Sequence, residues 1–374
     1  MVDMKTRVIE NLSDIPAAQW DALAGNNPFM QHAFLHALQI TGCASPETGW
    51  YTQFITLWDG NTLAAGMPLY GKTHTYGEFV FDWAWADAYQ RHGLRYYPKL
   101  VSSVPFTPAT GPRVLGSTPE IRAALVKAAL AHTDALGLSS LHILFPDESE
   151  AMALQAQGMM LRRGVQLHWR NQGFENFDAY LASMKPAKRR KVQQERRKVF
   201  DAGISFRHVR GEDITPELWQ FFVSCYENTH VQYSSPQPLN LEFFRMIGET
   251  MPQHILLVVA YRANKPIAAA IDFYNDTTLF GRSWGALEYH PGLHFETCYY
   301  QGIAFCFDNG IELFEGGAQG EHKLARGFLP STTWSAHWLA HPQFSRAVEE
   351  FLQREAGGVD HYMDELNDSS PFRK

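Results

Sequence analysis

Residues 315–327 concentrate the side chains that could move a proton. The run Glu315-Gly-Gly-Ala-Gln-Gly-Glu-His-Lys-Leu-Ala-Arg-Gly327 sets Gln319, Glu321, His322, Lys323 and Arg326 among glycines. Glycine lets the backbone approach a ligand closely, while the polar side chains offer a base and a cation. Either His322 or Glu321 can serve as the base, since the pKa of an imidazole or a carboxyl can be tuned toward neutrality. Lys323 completes the candidate catalytic group. A surface turn with ordinary charges is the plainer alternative. Against it, Leu324 is the one large apolar anchor in the run, and such a segment is costly to order without a purpose.

A second chemical feature is basic. Between Lys185 and Lys198 there are eight Lys/Arg and one Glu, a local +7, so the rest of the −7 chain carries −14. Ser183 as N-cap, Pro186 in the first turn and Gly203 beyond the end predict a helix over 184–200. Its apolar stripe is only Val192 and Val199, too thin for a core helix. The alternatives are a solvated basic helix or a phosphate-binding one. Self-repulsion favours a polyanionic partner for Lys185, Lys188, Arg189, Arg190, Arg196 and Arg197.

Two further constellations lie in the first half. Glu78, Asp82, Trp83, Trp85 and Asp87 form either an amine-binding wall or, as aromatics at strand spacing, part of a core. The proline-rich loop over 107–117 leads into a helix with Ser117 and Glu120 as its capping box. That helix start suits a phosphate, and a rigid turn is the equal alternative. A nucleophile motif of the GxSxG type is absent, and Cys298 and Cys306 fall on an apolar helix and read as core. His337 and His341, like His290 and His294, are four apart, but neither HExxH nor a third ligand accompanies them, so no metal is expected.

These residues must be held by a framework, and the framework repeats. Residues 55–70 and 258–274 each read as an apolar strand, a short polar turn and a strand that starts with small residues. Helical stretches precede both hairpins, over 16–24 and 29–41 in one half and over 216–230 and 241–250 in the other. A strand, a long helix (121–136 or 295–308) and a further strand (141–145 or 311–314) follow. That is the element order of an acetyltransferase-type domain, present twice. The expected domains are 1–170 and 171–374, meeting at a cleft.

The 374 residues are 45% hydrophobic and 19% charged, which excludes a disordered chain. A net charge of −7 argues against a general nucleic-acid binder. Scattered cysteines and an N-terminus without an apolar run lead to the expectation of a reducing, cytoplasmic setting without a membrane span.

Several long strings resemble the FemAB-like N-acyltransferase family: His74-Thr-Tyr-Gly-Glu-Phe-Val-Phe-Asp-Trp83, Val104-Pro-Phe-Thr-Pro-Ala-Thr-Gly-Pro-Arg-Val-Leu115, Gly281-Arg-Ser-Trp-Gly285, Leu293-His-Phe-Glu-Thr-Cys-Tyr-Tyr-Gln-Gly302 and Glu315–Phe328. The similarity spans nearly the whole chain. It implies an α/β (α+β) fold of two tandem GNAT-like domains, each a mixed, mostly antiparallel sheet flanked by helices. It also implies transfer of an acyl or aminoacyl group from acyl-CoA or aminoacyl-tRNA to an amine on a peptidoglycan precursor or a small metabolite, with no permanently bound cofactor. Under that resemblance Arg282, Trp284, His294, Glu296, Tyr299, Gln319 and Arg326 join Glu78, Asp82, Trp85 and Asp87 as substrate-binding candidates. Arg113-x-x-Gly116 resembles part of the acyl-CoA pyrophosphate loop, although Thr118 stands where that loop favours a smaller residue. The basic helix resembles the Lys/Arg-rich segment that opens the second domain of Fem-type enzymes. A different class of function, a non-catalytic module recognising a phosphorylated precursor or RNA, stays open at this point.

Overall fold

A computed structural model describes residues 4–318 and 320–373; Gln319, expected at the substrate site, lies outside them. The chain forms two compact units. One runs up to Val165 and takes in Thr332–Tyr362, and the other comprises Gln166–Ser331 and the residues from Met363 on. The passage between Val165 and Gln166 falls inside a strand rather than in the loop expected near residue 170. Residues 332–362 were expected with the second half but pack with the first, because Ser335–Leu339 pairs in antiparallel register with 140–144.

The first unit runs β1 (Lys5–Ile9), α1 (Ala17–Ala24), α2 (His32–Ile40), β2 (Trp50–Thr52), β3 (Phe54–Asp59), β4 (Thr62–Met67), β5 (Tyr70–Lys72), α3 (Trp83–Arg91), β6 (Lys99–Ser102), β7 (Leu115–Gly116), α4 (Pro119–Ala135), β8 (Ser140–Leu144) and α5 (Glu148–Gln155). The expected hairpin is β3–β4, and it turns through Gly60 at φ 58°, a backbone conformation cheap only without a Cβ. Ile55, Leu57, Ala65, Val126 and Leu141 pack together as its core. Trp83 and Trp85 stand on helix α3, not on a strand as their spacing suggested. Helix α4 is capped by Thr118, whose hydroxyl accepts from Ile121 N, instead of by Ser117. Pro119, pre-set for the first helical position, moves the cap one residue on.

The chain then continues through β9 (Met160–Arg170), α6 (Phe177–Ser183), α7 (Pro186–Asp201), β10 (Ile204–Arg210), α8 (Pro216–Gln232), α9 (Leu241–Thr250), β11 (Ile255–Arg262), β12 (Lys265–Tyr274), β13 (Thr278–Ala286), α10 (Leu293–Phe295), a π-turn (Glu296–Tyr300), α11 (Gln301–Asn309) and β14 (Leu313–Glu315). A 3-10 turn (Glu321–Arg326), β15 (Leu329–Leu339) and α12 (Pro342–Asp368) complete it. Ala263 and Asn264 join β11 to β12 with φ of 48° and 60°, the paired positive values of a tight hairpin turn that matches strand twist. Strand order in the second unit is β10-β11-β12-β13-β14-β9, antiparallel except for β13 and β14. The fold is thus mixed α/β, with mostly antiparallel sheets flanked by helices. Helix α7 begins at Pro186, not at the expected Ser183 cap. The Ser183 hydroxyl donates to the Tyr180 carbonyl at the end of α6 instead. Among the described residues no helix is long and apolar enough to cross a membrane.

Backbone-to-backbone contact seats α8 on β13. A Cβ added at Gly285 would lie 1.9 Å from the Cys225 carbonyl oxygen. Gly285→Ala should therefore force the helix off the strand and destabilise the protein by about 1–3 kcal/mol. Urea unfolding measures this; a change below about 0.5 kcal/mol, the range of an ordinary surface substitution, would contradict the contact.

Candidate functional site

Strand β13 opens the site by leaving its ladder. It pairs with β14 only over Thr278–Phe280. Immediately beyond, Ile271 pairs with Ser283 and Asp272 with Gly281, so Arg282 is the extra residue of a β-bulge. Bulges redirect side chains and release backbone groups, and they recur beside active sites. Opposite the bulge, the helix after β13 widens into the π-turn Glu296–Tyr300, a distortion also frequent at functional sites. Between them lies a cavity of about 90 Å³, with Asp272, Arg282, Trp284, His294, Cys298 and Tyr299 among its lining residues. The expectation that Cys298 is simply core is corrected: it faces this cavity, while Cys306 is buried.

The glycine-rich run after β14 brings the proton-transfer candidates to this place. Gly317 and Gly320 turn with φ of 80° and 105°. A Cβ on Gly320 would collide with the His322 ring at 2.2 Å. His322 Nε2 lies 3.0 Å from the Tyr299 hydroxyl, and its ring centroid is 5.8 Å from that of His294. Partial burial of the ring, then the charges of Arg326 and Lys323, lowers the His322 pKa below the ordinary 6.5. His294, stacked on Trp284 at 4.4 Å, is pushed down to about 4, chiefly by burial. Both rings are therefore neutral at pH 7. Burial pushes Tyr299 upward, so its hydroxyl keeps its proton. Glu321 is exposed.

Lys323 and Arg326 are committed to holding the turn. Lys323 is 3% exposed, its ammonium donates to the Gly317 carbonyl at 2.8 Å, and burial brings its pKa to about 8. Arg326 lies over the Phe295 ring at 3.3 Å and donates to Glu195 at 2.7 Å and to the His322 carbonyl at 2.5 Å. Glu296 is fully buried and receives Arg196 at 3.1 and 3.2 Å and Gln301 at 2.8 Å. These three candidates shape the site from behind. Arg282 lines the cavity, with burial lowering its pKa to about 10. Asp272, also in the lining, was missed in the sequence. The available signal was a single carboxyl inside the small-residue run Ala268-Ala-Ala-Ile-Asp272.

On α7, the Lys185 ammonium donates to the Ser370 carbonyl at 2.7 Å, and Arg196 faces inward onto Glu296 and the Phe177 ring. Neither is free for a phosphate. Arg190, Lys191, Arg197 and Lys198 are exposed, and Lys188 and Arg189 half-buried.

The first-unit candidates do not form the expected wall. Glu78 and Asp82 are buried on Lys99, at 2.7 and 2.5 Å. Tyr96 bonds Asp82 at 2.5 Å and lies 3.0 Å from His142, whose other nitrogen meets His337 at 2.7 Å. His337 is thus a buried member of this hydrogen-bonded network. Trp85 packs against that histidine at 4.9 Å, and Asp87 is exposed, paired with Arg91 one turn along α3. Arg113 is 1% exposed and spends its guanidinium on the Ala109, Gly111 and Pro112 carbonyls, which corrects its reading as a phosphate ligand. Gly116 does line a cavity of about 330 Å³ between α4 and α5. Among its polar lining, Arg122 donates to the Gly116 carbonyl and Glu150 accepts from the Arg113 and Val114 amides, while Gln157 Oε1 is buried without a partner among the described residues. Among the described residues no group of three His, Cys, Asp or Glu could hold a metal.

The fold has known relatives. FemX is similar over 92% of this chain and 100% of its own, with a TM-score of 0.55 and 10% identity. The L-PGS structure from Bacillus licheniformis is similar over 90% of this chain and 96% of its own, with a TM-score of 0.57 and 10% identity. At these identities the likeness is one of fold. Comparison with curated protein sequences gives no match. Residues 11–374 match the FemAB-like family, described as peptidoglycan biosynthesis/recognition. The chain belongs to the FemAB-like family.

Proposed function

We propose that the second unit transfers an acyl or aminoacyl group from an activated donor, acyl-CoA or aminoacyl-tRNA, to an amine. The observation that carries this reading is a neutral imidazole, His322, fixed by Tyr299 beside a cavity where a bulged strand leaves its ladder. Aminolysis of an ester or thioester needs a neutral amine, a proton acceptor and donors for the oxyanion. His322 donates through Nε2 to the Tyr299 oxygen and accepts the amine proton at Nδ1. Backbone amides at the β13 bulge face the acyl carbonyl. The amine displaces the donor's alcohol or thiol, forming the amide, and proximity in the cavity supplies the remaining acceleration without a covalent intermediate. A peptidoglycan precursor is the acceptor class that the family description suggests, and a small metabolite amine meets the same chemical need.

His322→Gln should lower kcat/KM by about a hundredfold, the typical worth of a general base, while Glu321→Gln stays within about threefold. The assay offers acetyl-CoA and a total aminoacyl-tRNA pool as donors, with a panel of muropeptide and metabolite amines as acceptors. Because the His322 pKa is lowered from 6.5, the base form persists below that pH. The acid limb of the wild-type profile should have its midpoint below 6.5 and should vanish in His322→Gln. Full turnover in that variant would move the base elsewhere.

The exposed face of α7 is the proposed contact for the donor's phosphates. Reversing Arg190, Lys191, Arg197 and Lys198 to Glu, with Arg196 left on Glu296, should weaken donor binding and flatten its dependence on salt. Titrations at two salt concentrations measure this. Unchanged affinity for both CoA and tRNA would exclude the helix from donor binding.

A further inference from the structure

Asp272 is a buried carboxyl without a protein partner for one of its oxygens. It sits on β12 at the bulge, is 2% exposed, and lines the cavity of about 90 Å³. Its Oδ2 is buried and has no hydrogen-bond partner among the described residues. Among the described residues no ion pair reaches it, and the nearby cations are engaged elsewhere. Lys323 holds the Gly317 carbonyl and Arg326 holds Glu195, while Arg282, which lines the same cavity, has Tyr226 and Glu315 as its electrostatic neighbours. On the facing helix, Cys298 and Cys306 are held neutral by burial. Gly281 stands opposite, where an added Cβ would come within 3.5 Å of Asp272 Oδ1 and 3.1 Å of Phe314. The missing side chain keeps room beside the carboxyl.

A structural aspartic acid would spend its proton on a neighbouring acceptor, and an apolar residue of similar size would fill the place at less cost. Here the unpaired oxygen belongs to a cavity residue, and Trp284, Tyr299 and Phe314 supply aromatic walls that suit a cation. Burial holds the Asp272 carboxyl well above the usual carboxylate range, so it is protonated in the empty cavity and passes that proton to an amine that binds there, leaving a carboxylate–ammonium pair.

We propose that Asp272 is the specificity-determining residue for the transferred group and receives an ammonium carried on it, so that the group delivered is aminoacyl rather than plain acyl. This rests on the acyl-transfer reading of the same cavity. The covalent step is unchanged. The donor's ester C–O bond breaks, the amide C–N bond forms, and the acceptor's proton leaves through His322. The ammonium at Asp272 keeps its proton and so cannot attack a second donor.

The test uses the full chain and two sets of probes: the amides of the proteinogenic amino acids and the matching carboxamides that lack the α-amino group. Affinities are measured by ligand-observed magnetic resonance. In the wild type, at least one amino-acid amide should bind at least tenfold more tightly than its des-amino counterpart. In Asp272→Asn, the two should come within about threefold of each other. The proposal is overturned if the wild type fails to prefer any amide over its counterpart, a result that needs no variant to fold. It is equally overturned if a folded Asp272→Asn protein keeps the full preference. The two readings fail separately. Amide preference without turnover of any donor leaves the recognition standing and removes the transfer. Acetyl transfer from acetyl-CoA without amide preference does the reverse.

Discussion

The guanidinium of Arg326 is the fixed point of the second unit. Its 2% exposure places it in a low-dielectric setting, against the Phe295 ring, with Glu195 of α7 on one side and the His322 carbonyl on the other. The Tyr300 hydroxyl donates to the second oxygen of Glu195 at 2.6 Å, and the Tyr180 hydroxyl donates to the Arg326 carbonyl. One cation thereby ties together α6, α7, the π-turn and the 3-10 turn. Removing one partner of such a buried pair typically costs about 3–5 kcal/mol, since the other charge stays behind unpaired. Here the same removal would also free His322 from its place. The position of the proposed base thus depends on a charge pair that does no chemistry.

The first unit uses buried charge differently. Lys99, at 1% exposure, lies between Glu78 and Asp82, and Tyr96, His142 and His337 extend the network. Lys72 sits over the Trp50 ring at 3.5 Å, with burial lowering its pKa to about 7. These groups close the 73–82 segment onto its sheet. The pairing is incomplete: Glu78 Oε1 and Asp82 Oδ1 are buried without a hydrogen-bond partner among the described residues, and such partly satisfied networks hold one packing at a cost in stability.

How far the sequence could be read follows from this contrast. The hairpins at Gly60 and at Ala263-Asn264, the helices α8 and α9, and the basic helix α7 were legible because local turn, cap and periodicity rules decide them. The Glu321–Arg326 segment was legible as a polar cluster, but not the division of labour within it. Whether a cation faces substrate or a carbonyl depends on contacts far along the chain, such as Arg326 with Glu195. Glu78 and Asp82 were indistinguishable from a binding wall for the same reason: Lys99, which neutralises them, is distant in sequence. Asp272 escaped notice because one carboxyl in an apolar strand carries no spacing pattern. The bulge that turns it toward a cavity depends on its pairing with Gly281. The capture of residues 332–362 by the first unit was illegible because strand pairing at long separation leaves little local trace.

That capture has a consequence for the order in which the molecule can be completed. Strand β8 is flanked by β6 on one edge and by β15 on the other, and β15 leaves the ribosome nearly two hundred residues after β8. Until then the 140–144 edge has unpaired amides and carbonyls, the kind of template on which foreign strands add. The first unit to be synthesised is therefore among the last to be finished, and the nascent chain passes most of its synthesis with an open sheet. During that interval the open 140–144 edge is where strand addition from another chain would meet the least resistance.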